Sequence, residues 1–195
     1  MKKLCAVLCT VCMMFLMAGC GNVADAENTS VIIDKKGAIT QVIVESFDQP
    51  YYNADELRSE IEQKAGQYNT SSGNEKAIVL DLLEVSDQGV IKVKIEYAGY
   101  QDYTAFNEKL LFIGTVSEAY HAGYAFPDMT QAAGGSDLSA SDVLEKGEKH
   151  MVIMDEAQQL KVPGKILYYS QGISLADEKT AVNLNEGQTA FVIYE

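Results

Sequence analysis

Residues 76–97 read KAIVLDLLEVSDQGVIKVKIEY. Two apolar arms, Lys76–Val85 and Val90–Tyr97, flank the turn-forming SDQG, which is the pattern of an antiparallel hairpin. The second arm alternates: Ile91, Val93, Ile95 and Tyr97 point one way, and Lys92, Lys94 and Glu96 the other. Side chains leave a strand on alternate faces, so one face of this sheet is wet. The first arm carries IVLDLL, apolar on both faces except at Asp81. That pattern places it more centrally in the sheet.

Upstream, the β-branched runs Val31–Asp34 and Ala38–Glu45 enclose KKG and form a second hairpin, with Gly37 supplying a positive φ. QPYYNADELRSEIEQKAGQYN follows over residues 49–69. Asn53 suits an N-cap, and Glu56 is placed to close a capping box. Leu57, Ile61, Ala65 and Tyr68 fall on one face, so a helix runs to about Gly66–Asn69, and TSSGNE after it reads as a loop.

Downstream, a short helix is expected over Asp102–Lys109, burying Tyr103, Phe106 and Leu110, and then a strand at LLFIG. Thr115 and Glu118 have capping-box spacing for a helix through Ala122 that Gly123 stops. Residues 127–149 are small, polar and glycine-bearing. They read as an irregular excursion and a candidate point of subdivision, with one helical turn near Asp142–Leu144. The last part is β: His150–Met154, Leu160–Val162, Lys165–Ser170, Ala181–Leu184 and Thr189–Tyr194, spaced as a meander. Strands and helices do not alternate strictly, so a doubly wound parallel sheet is not expected. The expected class is α+β: a mainly antiparallel sheet built from hairpins, packed by one long and two short helices, with a C-terminal β meander. Residues 31–195 form its single domain.

The amino terminus has another character. Leu4–Gly19 is uncharged and would span about 24 Å as a helix. A bilayer core needs ~30 Å, so the run is short for a membrane span and fits a signal peptide with Lys2 and Lys3 as its charged end. It closes on Leu16-Met17-Ala18-Gly19-Cys20. This resembles the lipobox of bacterial lipoproteins, although Met17 stands where leucine is commonest. The resemblance implies cleavage after residue 19 and a diacylated Cys20. Residues 20–30 then read as the lipidated cysteine and a polar tether. Cys5, Cys9 and Cys12 leave with the leader, so the body has no thiol for a disulfide, a nucleophile or a thiolate zinc site.

The leader carries two of the 15 basic residues and none of the 28 acids. The remainder therefore has 13 basic and 28 acidic side chains and a formal charge of −15. That repels nucleic acid and an anionic membrane surface alike, so nucleic acid is excluded as a partner and the lipid must do the holding. Arg58 is the only arginine, which removes clustered guanidinium forks for phosphate or carboxylate.

No catalytic pattern stands out. His121 and His150 are far apart in sequence and lack metal-ligand spacing. Asp155–Glu156 and Asp177–Glu178 are adjacent acids in turn-like segments. QAAGGSDLS has glycines but no lysine and no strong following helix, unlike a phosphate loop. No cofactor is expected. Tyrosine usage is high, with 11 tyrosines and no tryptophan. Tyr97, Tyr100, Tyr103, Tyr120 and Tyr124 are candidate ligand-facing rings; the other reading is that they seal the sheet edge and a helix.

FNEKLLFIGTVSEAYHAGYAF (106–126), VPGKILYYSQG (162–172) and GQTAFVIYE (187–195) resemble lipoproteins of clostridial-type (Firmicutes) gut bacteria. That resemblance implies a Gram-positive cell surface and brings no catalytic residues. The expectation is a lipid-anchored, extracytoplasmic, non-catalytic module binding a protein, peptide or glycan. The alternatives are an extracytoplasmic hydrolase with a carboxylate or histidine site, or a structural part of a surface complex.

Overall fold

The computed structural model describes residues 27–195; the leader and Cys20 lie outside them. The first hairpin pairs β1 (Ser30–Ile33) with β2 (Ile39–Ser46). Asp34 Oδ1 accepts from the N–H groups of Lys36 and Ala38, and Gly37 takes φ +83°. An L side chain at that φ would cost ~1–2 kcal/mol. Thr29 and Ser30, expected within the tether, are part of the fold: Ser30 opens β1, and Thr29 Oγ1, just before it, bridges both the N–H and the C=O of Val44.

Helix α1 (Ala54–Ser72) is capped by Asn53 Oδ1, which accepts from the N–H groups of Asp55 and Glu56. It runs past its expected end near Asn69 into the TSS segment. There the hydroxyls of Thr70, Ser71 and Ser72 bond back to the carbonyls of Gly66, Tyr68 and Asn69, and Gly73 at φ +72° ends it. Apolar period alone could not locate that end, because the last turn is held by local polar bonds.

The second hairpin is β3 (Ile78–Val85) and β4 (Val90–Tyr97). Ile91, Val93, Ile95 and Tyr97 are buried, as their alternation requires. β3 is not central. It is the edge strand, paired only with β4. The expectation failed because of a bulge between Leu80 and Leu82. The inserted Asp81 shifts the alternation by one residue. Ile78, Leu80, Leu83 and Val85 therefore all sit opposite inward positions of β4, while Val79 and Leu82, opposite Glu96 and Lys94, leave apolar side chains on the outer face of an edge strand.

Helix α2 (Tyr100–Asn107), β5 (Leu111–Thr115) and α3 (Val116–His121) follow. At α3 the capping box forms in both directions: Glu118 N–H donates to Thr115 Oγ1, and Thr115 N–H donates to Glu118 Oε2. Then come β6 (Met129–Gln131), a 3-10 turn at Val143–Lys146, β7 (His150–Met154), β8 (Gln159–Lys161), β9 (Ile166–Ser170), β10 (Ile173–Leu175), β11 (Thr180–Asn183) and β12 (Ala190–Tyr194). β6 and β10 are additions to the expected set.

The class is α+β with mostly antiparallel sheets. One sheet has the order β10-β11-β8-β1-β2-β4-β3, the other β5-β7-β12-β9-β6. The C-terminal strands are dealt to both, β8, β10 and β11 to the first and β7, β9 and β12 to the second. The two blocks of the first sheet meet where β1 pairs β8 in parallel, Ser30 opposite Gln159.

The sheets share a core that takes in Val31, Ile33, Ile39, Val93 and Ile95 from one and Leu111, Val152, Met154 and Val192 from the other. A second cluster covers the outer face of the β7–β12 sheet with Phe112, Val116, Ala119, Met129, Leu138 and Val143. Residues 127–149 therefore fold back onto that sheet. β7 and β12 are buried on both faces, which explains the unbroken apolar runs MVIM and AFVIY. Among the described residues no helix is long and apolar enough to cross a membrane.

Candidate functional site

Two places concentrate polar groups. The first is a buried seam between the sheets. Gln41 comes from β2, Tyr97 from the end of β4, Tyr103 and Asn107 from successive turns of α2, and Glu156 and Gln158 from the β7–β8 link. Tyr97 OH donates to Gln41 Oε1 at 2.8 Å, and Asn107 Nδ2 donates to Tyr97 OH at 3.1 Å. Tyr103 OH donates to Glu156 Oε2 at 2.5 Å and accepts from Gln158 Nε2 at 3.2 Å. Gln158 Nε2 also lies 3.1 Å from the same carboxylate oxygen.

Burial sets the electrostatics. Desolvation pushes the Glu156 carboxyl above its ordinary range, partly offset by the Tyr103 hydroxyl. Burial likewise pushes the Tyr97 and Tyr103 phenols far up, so both stay neutral donors at physiological pH. These groups hold one another in place. Asp155 turns elsewhere, accepting from Leu110 N–H, and Glu186 takes Ala157 N–H and the Lys109 ammonium. Asp177 caps its own turn through Lys179 N–H and Thr180 Oγ1. Asp155, Glu156 and Asp177 thus serve the fold.

The second place is an open groove of about 460 Å³ at the far end of the sandwich. The β1–β2 turn forms one wall with Lys35 and Lys36. Ile113, His150, Tyr194 and Glu195 form the other. His150 is exposed and stacks on Tyr194 with centroids 5.1 Å apart. β5 is an edge strand. Leu111 directs its N–H and C=O outward to Thr104 Oγ1, and Thr115 directs its N–H outward to Glu118. By the same alternation Ile113, midway between, presents its N–H and C=O to the groove. The arrangement suits an extended polar segment, with two ammonium groups and a ring nitrogen at hand. Among the described residues no three His, Cys, Asp or Glu side chains gather as a metal site.

The tyrosines do not form one surface. Tyr97 and Tyr103 are 1% and 0% exposed. Tyr100 is half-buried against Phe112, which in turn meets Tyr124, at centroid distances of 5.5 and 5.2 Å. Tyr120 is 54% exposed, beside His121. A different aromatic group, outside the expected set, lies at the surface: half-buried Phe47 stacks on half-buried Tyr52, and exposed Tyr51 meets Tyr52 edge-on. Its signal was QPYYN, two rings in a loop next to a helix cap. Gln41 also went unread, although it is a polar residue at an inward position of β2. Comparison of the chain with protein-family models, curated proteins and solved structures returned no match.

Proposed function

We propose that the chain is a lipid-anchored extracytoplasmic protein whose folded part is a non-catalytic binding or interaction module. The observation that carries this reading is Leu16-Met17-Ala18-Gly19-Cys20 at the end of an apolar leader, with Cys20 the last thiol in the chain. Two acyl chains on one cysteine hold a protein stably to a bilayer, where one chain holds it only marginally. Two features support binding over catalysis. The buried acid Glu156 is engaged by Tyr103 and Gln158, and the groove beside Lys35, Lys36 and His150 is open and polar.

The test is Cys20→Ala. The variant is expected to leave the membrane fraction and to lack the diacylglyceryl mass on its processed amino terminus. Variant protein that stays with membranes to the wild-type extent overturns the anchor.

A further inference from the structure

We propose that the loop Phe47–Tyr52 is a membrane-resting surface, which settles into the interfacial zone of the bilayer and fixes which end of the domain faces it. The proposal rests on the anchor at Cys20.

Three observations converge on one end of the molecule. The first is where the chain enters. Thr29 is bonded to Val44, next to the C-terminal end of β2, so Glu27 and Asn28 emerge beside Ser46 and the loop that follows it. Six residues separate Cys20 from Glu27, seven residue steps with a reach of about 25 Å at full extension. The second is exposure. Tyr51 is 68% exposed, the most open large apolar side chain among the described residues, and Val85 is 42% exposed where β3 enters the β3–β4 turn. The third is that the loop is built. Phe47 N–H donates to Gly89 O in the β3–β4 turn, Tyr52 N–H donates to Gln49 O, and Phe47 stacks on Tyr52 at 4.8 Å. Phe47 packs inward against the core, and on that fixed base Tyr51 is held outward.

Tyrosine, with an apolar ring and a polar tip, is the side chain enriched at membrane–water boundaries. The loop also carries Asp48, and the adjacent turn carries Asp87, so the contact is apolar and not an attraction to anionic lipid. Charge repulsion is screened beyond about 8 Å at physiological salt. The tether supplies what so small an apolar contact lacks by itself, an effective concentration in the millimolar range.

The experiment uses the full-length lipidated protein in phosphatidylcholine vesicles. The chain has no tryptophan, so Tyr51→Trp is a single-tryptophan reporter. Lys36→Trp is its counterpart in the β1–β2 turn, separated from the loop by the eight residues of β2, about 27 Å. The expected result is a blue-shifted emission for Tyr51→Trp, with severalfold stronger quenching by bromolipid than for Lys36→Trp. Tyr52→Trp repeats the measurement should Tyr51→Trp fold poorly. Equal quenching at the two ends, or none at the loop, overturns the proposal. A blue shift without bromolipid quenching also overturns it, because a protein surface or second copy then covers the rings. Intact mass and vesicle flotation of the same sample separate the two readings. Floating, acylated protein with an unquenched loop sinks only the orientation, whereas protein that neither floats nor carries acyl mass sinks the anchor and the orientation with it.

Discussion

At Glu156 a single carboxyl shows how burial turns composition into pH dependence. Desolvation raises its folded-state pKa above the unfolded value. Between those two values the folded protein binds more protons than the unfolded chain, so stability falls as pH rises through that window. Glu156→Gln keeps an acceptor for the Tyr103 hydroxyl and removes the charge. It is expected to flatten the decline in urea midpoint from the ordinary carboxylate range towards neutrality. A variant with the wild-type slope would assign the pH dependence to another group, for example Glu45, whose carboxyl is also raised by burial. Only part of this seam is legible in the sequence: Asp155 and Glu156 stand out as adjacent acids, but nothing local says that they turn to different partners.

Among the elements, strand edges carry the clearest device. Asn69 of α1 accepts from Ile78 N–H at 2.9 Å and donates to Ile78 O at 2.8 Å, so one side-chain amide stands in for a missing neighbour strand. Arg58 donates to Leu83 O further along β3, and Thr104 does for Leu111 of β5 what Asn69 does for Ile78. Open edges are templates for pairing with other chains, and these plugs blunt them. Asn69→Ala is expected to cost ~1–3 kcal/mol, because it leaves a buried N–H and C=O unpartnered. Amide exchange at Ile78 should quicken with it; unchanged exchange there would show that the plug is dispensable. The caps were readable at this scale. Asn53, Thr115 with Glu118, and Gly123 each act over three or four residues, so their signals lie within one turn of chain.

For the molecule as a whole, cooperativity follows from strands shared between two packing faces. On β12, Val192 faces the inter-sheet core and Ile193 faces the layer formed with α3 and residues 127–149. Ile193→Ala is expected to cost ~2–5 kcal/mol. Val192→Ala should lower the same transition, with circular dichroism and tyrosine fluorescence melting together. Two separated transitions in either variant would show that the layers fold independently. Local signals in the chain were enough for the hairpins at residues 30–46 and 78–97, for the wet face of β4 and for the helix starts at Asn53 and Thr115, because alternation and capping act between near neighbours; α2, expected over Asp102–Lys109, starts at Tyr100 behind Gly99 with no side-chain cap to mark it. The proposed address outside the cytosol rests on the same kind of local signal, the leader and Cys20. Tertiary contact alone placed β3 at an edge, dealt the C-terminal strands to two sheets and joined Tyr97 and Tyr103 to Gln41, Glu156 and Gln158 in one polar seam. The period of a strand tells which of its faces meets water. It does not tell which strand lies beside it: Ser30 meets Gln159 across most of the chain, and that choice is made by the packing of whole surfaces.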